Sequence, residues 1–215
     1  MTDTYRHKGM RKALVEEIKK KGITNEAVLN AIGKIPRHLF LDSSFDRFAY
    51  NDVAFPIGSG QTISQPYTVA FQTELLEITK GKKILEVGTG SGYQASVLAE
   101  LGVKVYSIER QRKLYDKTSR FVEKLGYRIN TFYGDGYKGL PTYAPFDNII
   151  VTAGAPEIPK DLLLQLKIGG WMIIPVGGEE GQIMTKITRK GEMDFEKKIY
   201  GEFAFVPMLK NRASD

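Results

Sequence analysis

The chain has 215 residues, 42% of them hydrophobic, which is enough for one domain with a sizeable core, and it carries a net charge of +6. Cysteine is absent, excluding a disulfide scaffold, thiolate metal sites and a cysteine nucleophile, and the two histidines leave little material for a His-based metal cluster. Lysines and arginines are interleaved with acids, densest at Lys19, Lys20 and Lys21; this pattern reads as solvated helix faces rather than a nucleic-acid footprint, and with no signal core or run of membrane-spanning length a soluble cytoplasmic protein is expected.

In chain order, Met10, Ala13, Leu14, Val15 and Ile18 fall near helical spacing, and Gly22 ends that segment. A second helix is expected from the capping residue Thr24, with Ala27, Val28, Ala31 and Ile32 on its buried face and a stop before Pro36. Arg37 to Asp52 reads as irregular helical turns, so that residues 1–55 form a helical N-terminal elaboration. Pro56 to Gln65 reads as a Gly, Ser and Thr loop, and Pro66 opens a helix through about Ile78. Strands are expected at Lys83 to Val87, Val103 to Glu109, Ile129 to Tyr133, Asn148 to Thr152 and Trp171 to Val176, alternating with helical or turn segments. That alternation predicts an α/β fold with a mostly parallel central sheet and helices on both faces. Residues 56–178 then form the core of a single domain spanning 1–215. Residues 179–215 add antiparallel C-terminal strands, Ile183 to Arg189 and Phe203 to Leu209, joined through the charged stretch Lys190 to Lys198.

The first of these strands runs into Gly88-Thr89-Gly90-Ser91-Gly92, followed by a helix from Tyr93 to Leu101. Three alternating glycines remove Cβ where the chain turns tightly and a ligand approaches backbone. A dinucleotide fingerprint would need Gly or Ala at Tyr93, and a phosphate loop would need Gly-Lys-Ser/Thr; neither is present. In open α/β sheets the ligand crevice lies beyond the carboxyl ends of the strands. The second strand ends at Glu109, about twenty residues past the glycines, where a carboxylate can accept from both hydroxyls of a ribose. The third ends in Gly134-Asp135-Gly136, with room for a flat ring and an acceptor for an adenine amino group. These positions resemble the Rossmann-like class I methyltransferases: Glu86, Gly88, Thr89, Gly90, Ser91 and Gly92 as the first motif, Glu109 as the ribose acid, and Asp135 with Gly136 on the adenine side. The resemblance implies S-adenosyl-L-methionine as cofactor and S-adenosyl-L-homocysteine as its product. Backbone amides near Gly88 to Ser91 would hold the methionyl part, and no metal is required.

The loop Pro56 to Pro66, with Gly60-Gln61-Thr62-Ile63-Ser64-Gln65-Pro66 as its most specific part, resembles the protein-L-isoaspartate (D-aspartate) O-methyltransferase family. The likeness continues through Pro36-Arg37-His38-Leu39-Phe40, Ala49-Tyr50, Val151-Thr152-Ala153-Gly154-Ala155-Pro156, Leu166 to Gly170 and Val206-Pro207, so it covers nearly the whole chain. It implies a repair enzyme that methylates the free α-carboxylate of L-isoaspartyl residues in damaged proteins and peptides, and it leaves D-aspartyl acceptance open. The ester would collapse to a succinimide without help from the protein. The family's active-site serine falls at Ser64, with Thr62 beside it and Val206 as a peptide contact, and the family implies a monomer.

An isoaspartyl carboxylate, with a pKa of about 4, is ionised at neutral pH, so its methylation needs no general base. Ser64 is therefore read as a binding and orienting group, since no convincing histidine partner makes it a nucleophile. Thr62 and Ser64 read alternatively as caps of the helix from Pro66. Other readings of the whole chain are a methyltransferase acting on nucleic acid or another acceptor, and a noncatalytic binding module that has kept the fold. Thr152-Ala153-Gly154-Ala155-Pro156 stands where base amino-methylation places Asp/Asn-Pro-Pro-aromatic, which argues against nucleic acid.

Overall fold

The computed structural model describes residues 2–178 and 180–213. Helix α1 (Tyr5–Lys20) begins at Thr4, whose hydroxyl and backbone pair reciprocally with His7 in a capping box. Helix α2 (Glu26–Lys34) is capped by Asn25, not by Thr24: the Asn25 side chain accepts from the amides of Ala27 and Val28. Thr24 is instead held from outside, its amide and hydroxyl both donating to the Glu74 carboxylate. Two short 3-10 turns, Arg37–Phe40 and Ser43–Phe45, follow as irregular helical turns.

The segment expected to be a plain loop is a β-hairpin, β1 (Phe55–Gly58) and β2 (Gln61–Ile63), paired antiparallel. Its two turn residues, Ser59 and Gly60, both have positive φ, +53° and +65°. That twist matches a two-residue hairpin turn, and a glycine takes one of the positions at no steric cost. Helix α3 (Pro66–Leu75) then stops a few residues before the expected Ile78.

The main sheet is built from β3 (Lys83–Val87), β4 (Lys104–Glu109), β5 (Ile129–Tyr133), β6 (Phe146–Val151), β7 (Leu166–Val176), β8 (Gln182–Arg189) and β9 (Phe195–Phe203). Their order is β5-β4-β3-β6-β7-β8-β9, parallel as far as β7 and antiparallel from there. The switch point therefore lies at β3, where the chain departs to β4 on one side and returns to β6 on the other. Helices α4 (Tyr93–Glu100), α5 (Arg112–Lys124) and α6 (Lys160–Leu164) cover the faces. Period-two alternation sends Ile84 to the core shared with Ala95 and Leu98 of α4, and Leu85 and Val87 to the opposite core with Leu162 and Met172. A third cluster joins α1 and α2 to Val69, Tyr93 and Val97, binding the N-terminal helices onto α3 and α4.

The last expected strand, Phe203 to Leu209, is displaced. The strand is β9, and much of the charged stretch read as a connection lies within it, because a sheet edge open to solvent tolerates Glu196, Lys197 and Lys198. After Phe203 the chain becomes an irregular strap that recrosses the carboxyl ends of the parallel strands. Gly154 donates its amide to the Val206 carbonyl at 2.8 Å, Met208 donates to the Gly154 carbonyl at 2.8 Å, and Ala213 donates to the Arg110 carbonyl at 3.0 Å. Among the described residues, no helix is long and apolar enough to cross a membrane.

Candidate active site

The first motif is a loop lying flat on its neighbours. Gly88 and Gly92 have φ of +102° and +83°. A Cβ on Gly88 would stand 2.5 Å from the Thr152 hydroxyl, and one on Gly92 would stand 2.7 Å from a Val122 methyl, so both positions need glycine twice over. The amides of Gly88 and Thr89 donate to the Ile108 carbonyl at 2.9 and 3.3 Å, and that of Gly92 to the Thr89 carbonyl at 2.8 Å. Gly90 donates to the Glu109 carboxylate at 2.9 Å. Among the described residues, only the Ser91 amide of these five finds no acceptor, so the loop meets a ligand mainly as bare, closely approachable surface.

Glu109, at the end of β4, is buried, and its second oxygen accepts the Gln111 amide at 2.8 Å. Burial raises its pKa, while the amides of Gln111, Gly90 and Arg110 pull it down. Each oxygen retains acceptor capacity beyond the one amide it holds, which is the chemistry a ribose diol requires. Glu86 lies within the sheet beneath the loop, with no exposed surface. The Ser107 hydroxyl donates to it, and the Thr89 hydroxyl meets Ser107 at 2.6 Å, tying the carboxyl to the loop from below. Burial pushes the Glu86 pKa up to about 8, and its Oε1 has no partner among the described residues. Asp135, at the end of β5, accepts the Tyr137 amide at 2.9 Å and the Asn211 amide of the strap at 2.9 Å. Gly136 is needed for packing, because a Cβ there would press on Val87 at 2.6 Å. The acceptors at the ends of β4 and β5 and the uncluttered loop thus fit a nucleoside-bearing sulfonium cofactor.

On the other side of the loop stands the hairpin. Along β2 the side chains alternate, Ile63 buried and Thr62 exposed, with Ser64 following half-buried on the side of Thr62. Neither hydroxyl caps α3. Its N-cap is Gln65, without a side-chain cap, and the first turn is held from a distance by Asp52, which accepts the Tyr67 amide at 2.7 Å and the Gln65 side chain at 3.0 Å. A cleft of about 770 Å³ opens here, lined by Thr62, Ser64, Tyr67, Phe71, Phe203 and Val206 among others. A much smaller cavity of about 30 Å³ lies between Ser64 and the glycine loop. Thr62, Ser64 and Thr152 line both spaces. Val206 stands on the strap rather than in a strand, because pairing ends at Phe203 and its carbonyl is turned to Gly154.

Several contributors were not foreseen from sequence. Asp52 and Arg37 act through partners far along the chain, and the aromatic wall of the cleft joins Phe71 to Phe203, ring centres 5.1 Å apart, across the fold. Thr152, just past β6, donates to the Val87 and Gly88 carbonyls at 3.0 and 2.8 Å; its place at a strand end beside the crevice was the signal available. The two histidines also meet, His7 stacked on His38 at 3.8 Å, and with Asp3 they bring ligand-type atoms within 4.8 Å of one another. Most of their polar atoms are already engaged: both ring nitrogens of His7 by Thr4 and Asp46, His38 Nδ1 by Tyr50, and Asp3 by Arg11, while His38 Nε2 has no partner among the described residues. The cluster clasps α1 to the turns that precede the hairpin.

A parallel sheet whose strand order reverses at β3, a glycine loop there and acids at the next two strand ends define a Rossmann-like class I methyltransferase. The chain matches the family described as protein-L-isoaspartate(D-aspartate) O-methyltransferase over residues 9–213, and it belongs to that family. It is 65% identical to a protein-L-isoaspartate O-methyltransferase of Christiangramia forsetii, over 99% of this chain and 100% of the relative. A solved protein-L-isoaspartate O-methyltransferase superposes with a TM-score of 0.81 at 32% identity, over 92% of this chain and 65% of that longer one. A Plasmodium falciparum structure described as a putative enzyme of this kind, in complex with S-adenosyl-L-homocysteine, gives a TM-score of 0.82 at 26% identity, over 94% and 99% of the two chains. The activity is S-adenosylmethionine-dependent methyl transfer to isoaspartyl residues.

Proposed function

We propose that this chain performs the transfer with the glycine loop, Glu109 and Asp135 on the cofactor side, Thr62 and Ser64 at the reacting carboxylate, and Val206 along the peptide. The observation that carries the reading is the shared wall: Thr62 and Ser64 face both the large cleft and the small cavity against Gly88 to Ser91. Bound S-adenosylmethionine supplies a methyl group made electrophilic by its sulfonium. The protein's task is then alignment. The acceptor carboxylate is already ionised, so no residue need remove a proton, and the hydroxyls of Thr62 and Ser64 orient its oxygens by donating hydrogen bonds. Holding both reactants at near-attack distance can supply about 7 kcal/mol or more in favourable cases. Glu109 accepts from the ribose hydroxyls and Ser91 offers its amide to the methionyl end. Glu86, protonated and buried, supports the loop from beneath.

The acceptors we infer are isoaspartyl proteins and peptides rather than nucleic acid or membrane, and we read the protein as a cytoplasmic monomer. Residues 1–55 are the helical elaboration, residues 56–178 the cofactor core and residues 179–215 the C-terminal addition. Labelled methyl transfer to an isoaspartyl peptide, with its aspartyl isomer and an oligonucleotide as controls, tests the acceptor. The expected label is on the isoaspartyl peptide alone; label on the oligonucleotide, or equal label on both peptides, contradicts the reading.

A further inference from the structure

Arg37 is a fully buried cation for which no carboxylate comes within ion-pair distance among the described residues. Burying a charge in this way is costly unless its surroundings hold it. Here they are backbone carbonyls. Nε donates to Ala49 at 3.1 Å, and Nη2 donates to Val53 at 3.3 Å and to Ser64 at 2.9 Å. The guanidinium also stands over the Tyr93 ring, its central carbon 4.9 Å from the ring centre. Tyr93 is the first residue of α4, directly after Gly92, and lines the small cavity beside the glycine loop. Nη1 of Arg37 and the Tyr93 hydroxyl are both buried without partners among the described residues.

One side chain therefore grips the backbone of Ser64 on the acceptor side and the start of the helix that closes the cofactor loop on the other. Asp52 completes the clamp from the next turn by holding the Tyr67 amide, so the segment from Ser64 to Tyr67 is fixed at both ends by buried charged groups. A flat fork that donates to three carbonyls while standing over an aromatic ring is a task for arginine, which lysine cannot duplicate.

Resting on the reading of Ser64 given above, we propose that Arg37 is a positioning residue: it sets the acceptor hydroxyls at a fixed distance from the cofactor loop, and methyl transfer depends on its guanidinium although it touches neither reactant. The alternative is a role in stability alone.

The test uses the full-length protein with Arg37→Lys and Arg37→Ala, with rates counted per site that binds S-adenosylhomocysteine so that unfolded molecules drop out. The expected result is a kcat for an isoaspartyl peptide reduced about tenfold or more, because misplacement of around an ångström is enough for such a loss, with product affinity close to wild type. Added guanidinium ion at millimolar concentration is expected to restore part of the Arg37→Ala rate and to leave wild type unchanged. A wild-type kcat per binding site in Arg37→Lys overturns the proposal. So does an Arg37→Ala loss that guanidinium does not relieve, and so do variants that fail to fold, since the residue would then serve stability only. Wild type without isoaspartyl transfer would instead sink the reading of the site itself, and wild type is assayed first to keep the two apart.

Discussion

Glu86 illustrates how much a single residue's surroundings can alter its role. As an acid ending a strand next to a glycine loop, it is naturally read as a ligand contact. Its carboxyl turns out to lie wholly inside, beneath Thr89 and Ser107, with its pKa pushed up to about 8 by burial. The sign of the pH effect follows from that direction. The folded protein retains a proton that the unfolded chain releases above the ordinary glutamate range, so this contribution is present in full at low pH and is lost as pH rises through about 8. Thermal melts between pH 5 and 8.5 should show this component of declining stability in wild type, and Glu86→Gln, which mimics the neutral carboxyl, should flatten it. An equal decline in the variant would assign the effect to other groups. Sequence could mark Glu86 and Glu109 as strand-end acids. It could not separate the one held at the strand end by the Gly90 and Gln111 amides from the one folded under the loop, because that depends on a hydroxyl from the adjacent strand.

At the scale of elements, the strands made of apolar and β-branched runs were the most legible, whether central and buried like β3 or half-buried at the sheet's end like β5. Lys83–Val87 and Ile129–Tyr133 have the bounds expected from their apolar and β-branched runs. The antiparallel edge and the hairpin were not legible. Charged residues obscured β9, and the hairpin's pairing was hidden because its strands are only four and three residues long, one of them carrying Pro56. Helix α3 shows why a cap can be invisible in sequence: its first turn takes its acceptor from Asp52, 15 residues upstream, a distance that local signals cannot span. Asp52→Ala should lower stability by at least about 1 kcal/mol in urea titration, as expected for loss of a helix cap, and should raise the KM for peptide because Ser64 lies at that helix entry. Unchanged stability and KM would remove Asp52 from the support of the acceptor loop.

Across the whole molecule, the site is where four independent parts of the chain converge: the glycine loop after β3, the acids after β4 and β5, the hairpin before α3 and the strap after β9. The first two were legible because open α/β sheets always present strand ends to the crevice. For the last two, the family resemblance named Thr62, Ser64 and Val206, but only tertiary structure puts Ser64 and Val206 around one cleft with Phe203 and Thr152. On the proposed reading, binding of the methyl donor and orientation of the acceptor are separable tasks, with Ser64 on the boundary between the two spaces it lines. The most direct measurement is therefore on Ser64→Ala, comparing kcat/KM for an isoaspartyl peptide with affinity for S-adenosylhomocysteine. Turnover should fall about tenfold or more, the scale of losing one or two hydrogen bonds to a charged group, while product affinity and melting temperature stay at wild-type values. Unchanged turnover, or a loss matched by equal loss of product affinity, would contradict the assignment of Ser64 as the group that orients the acceptor carboxylate.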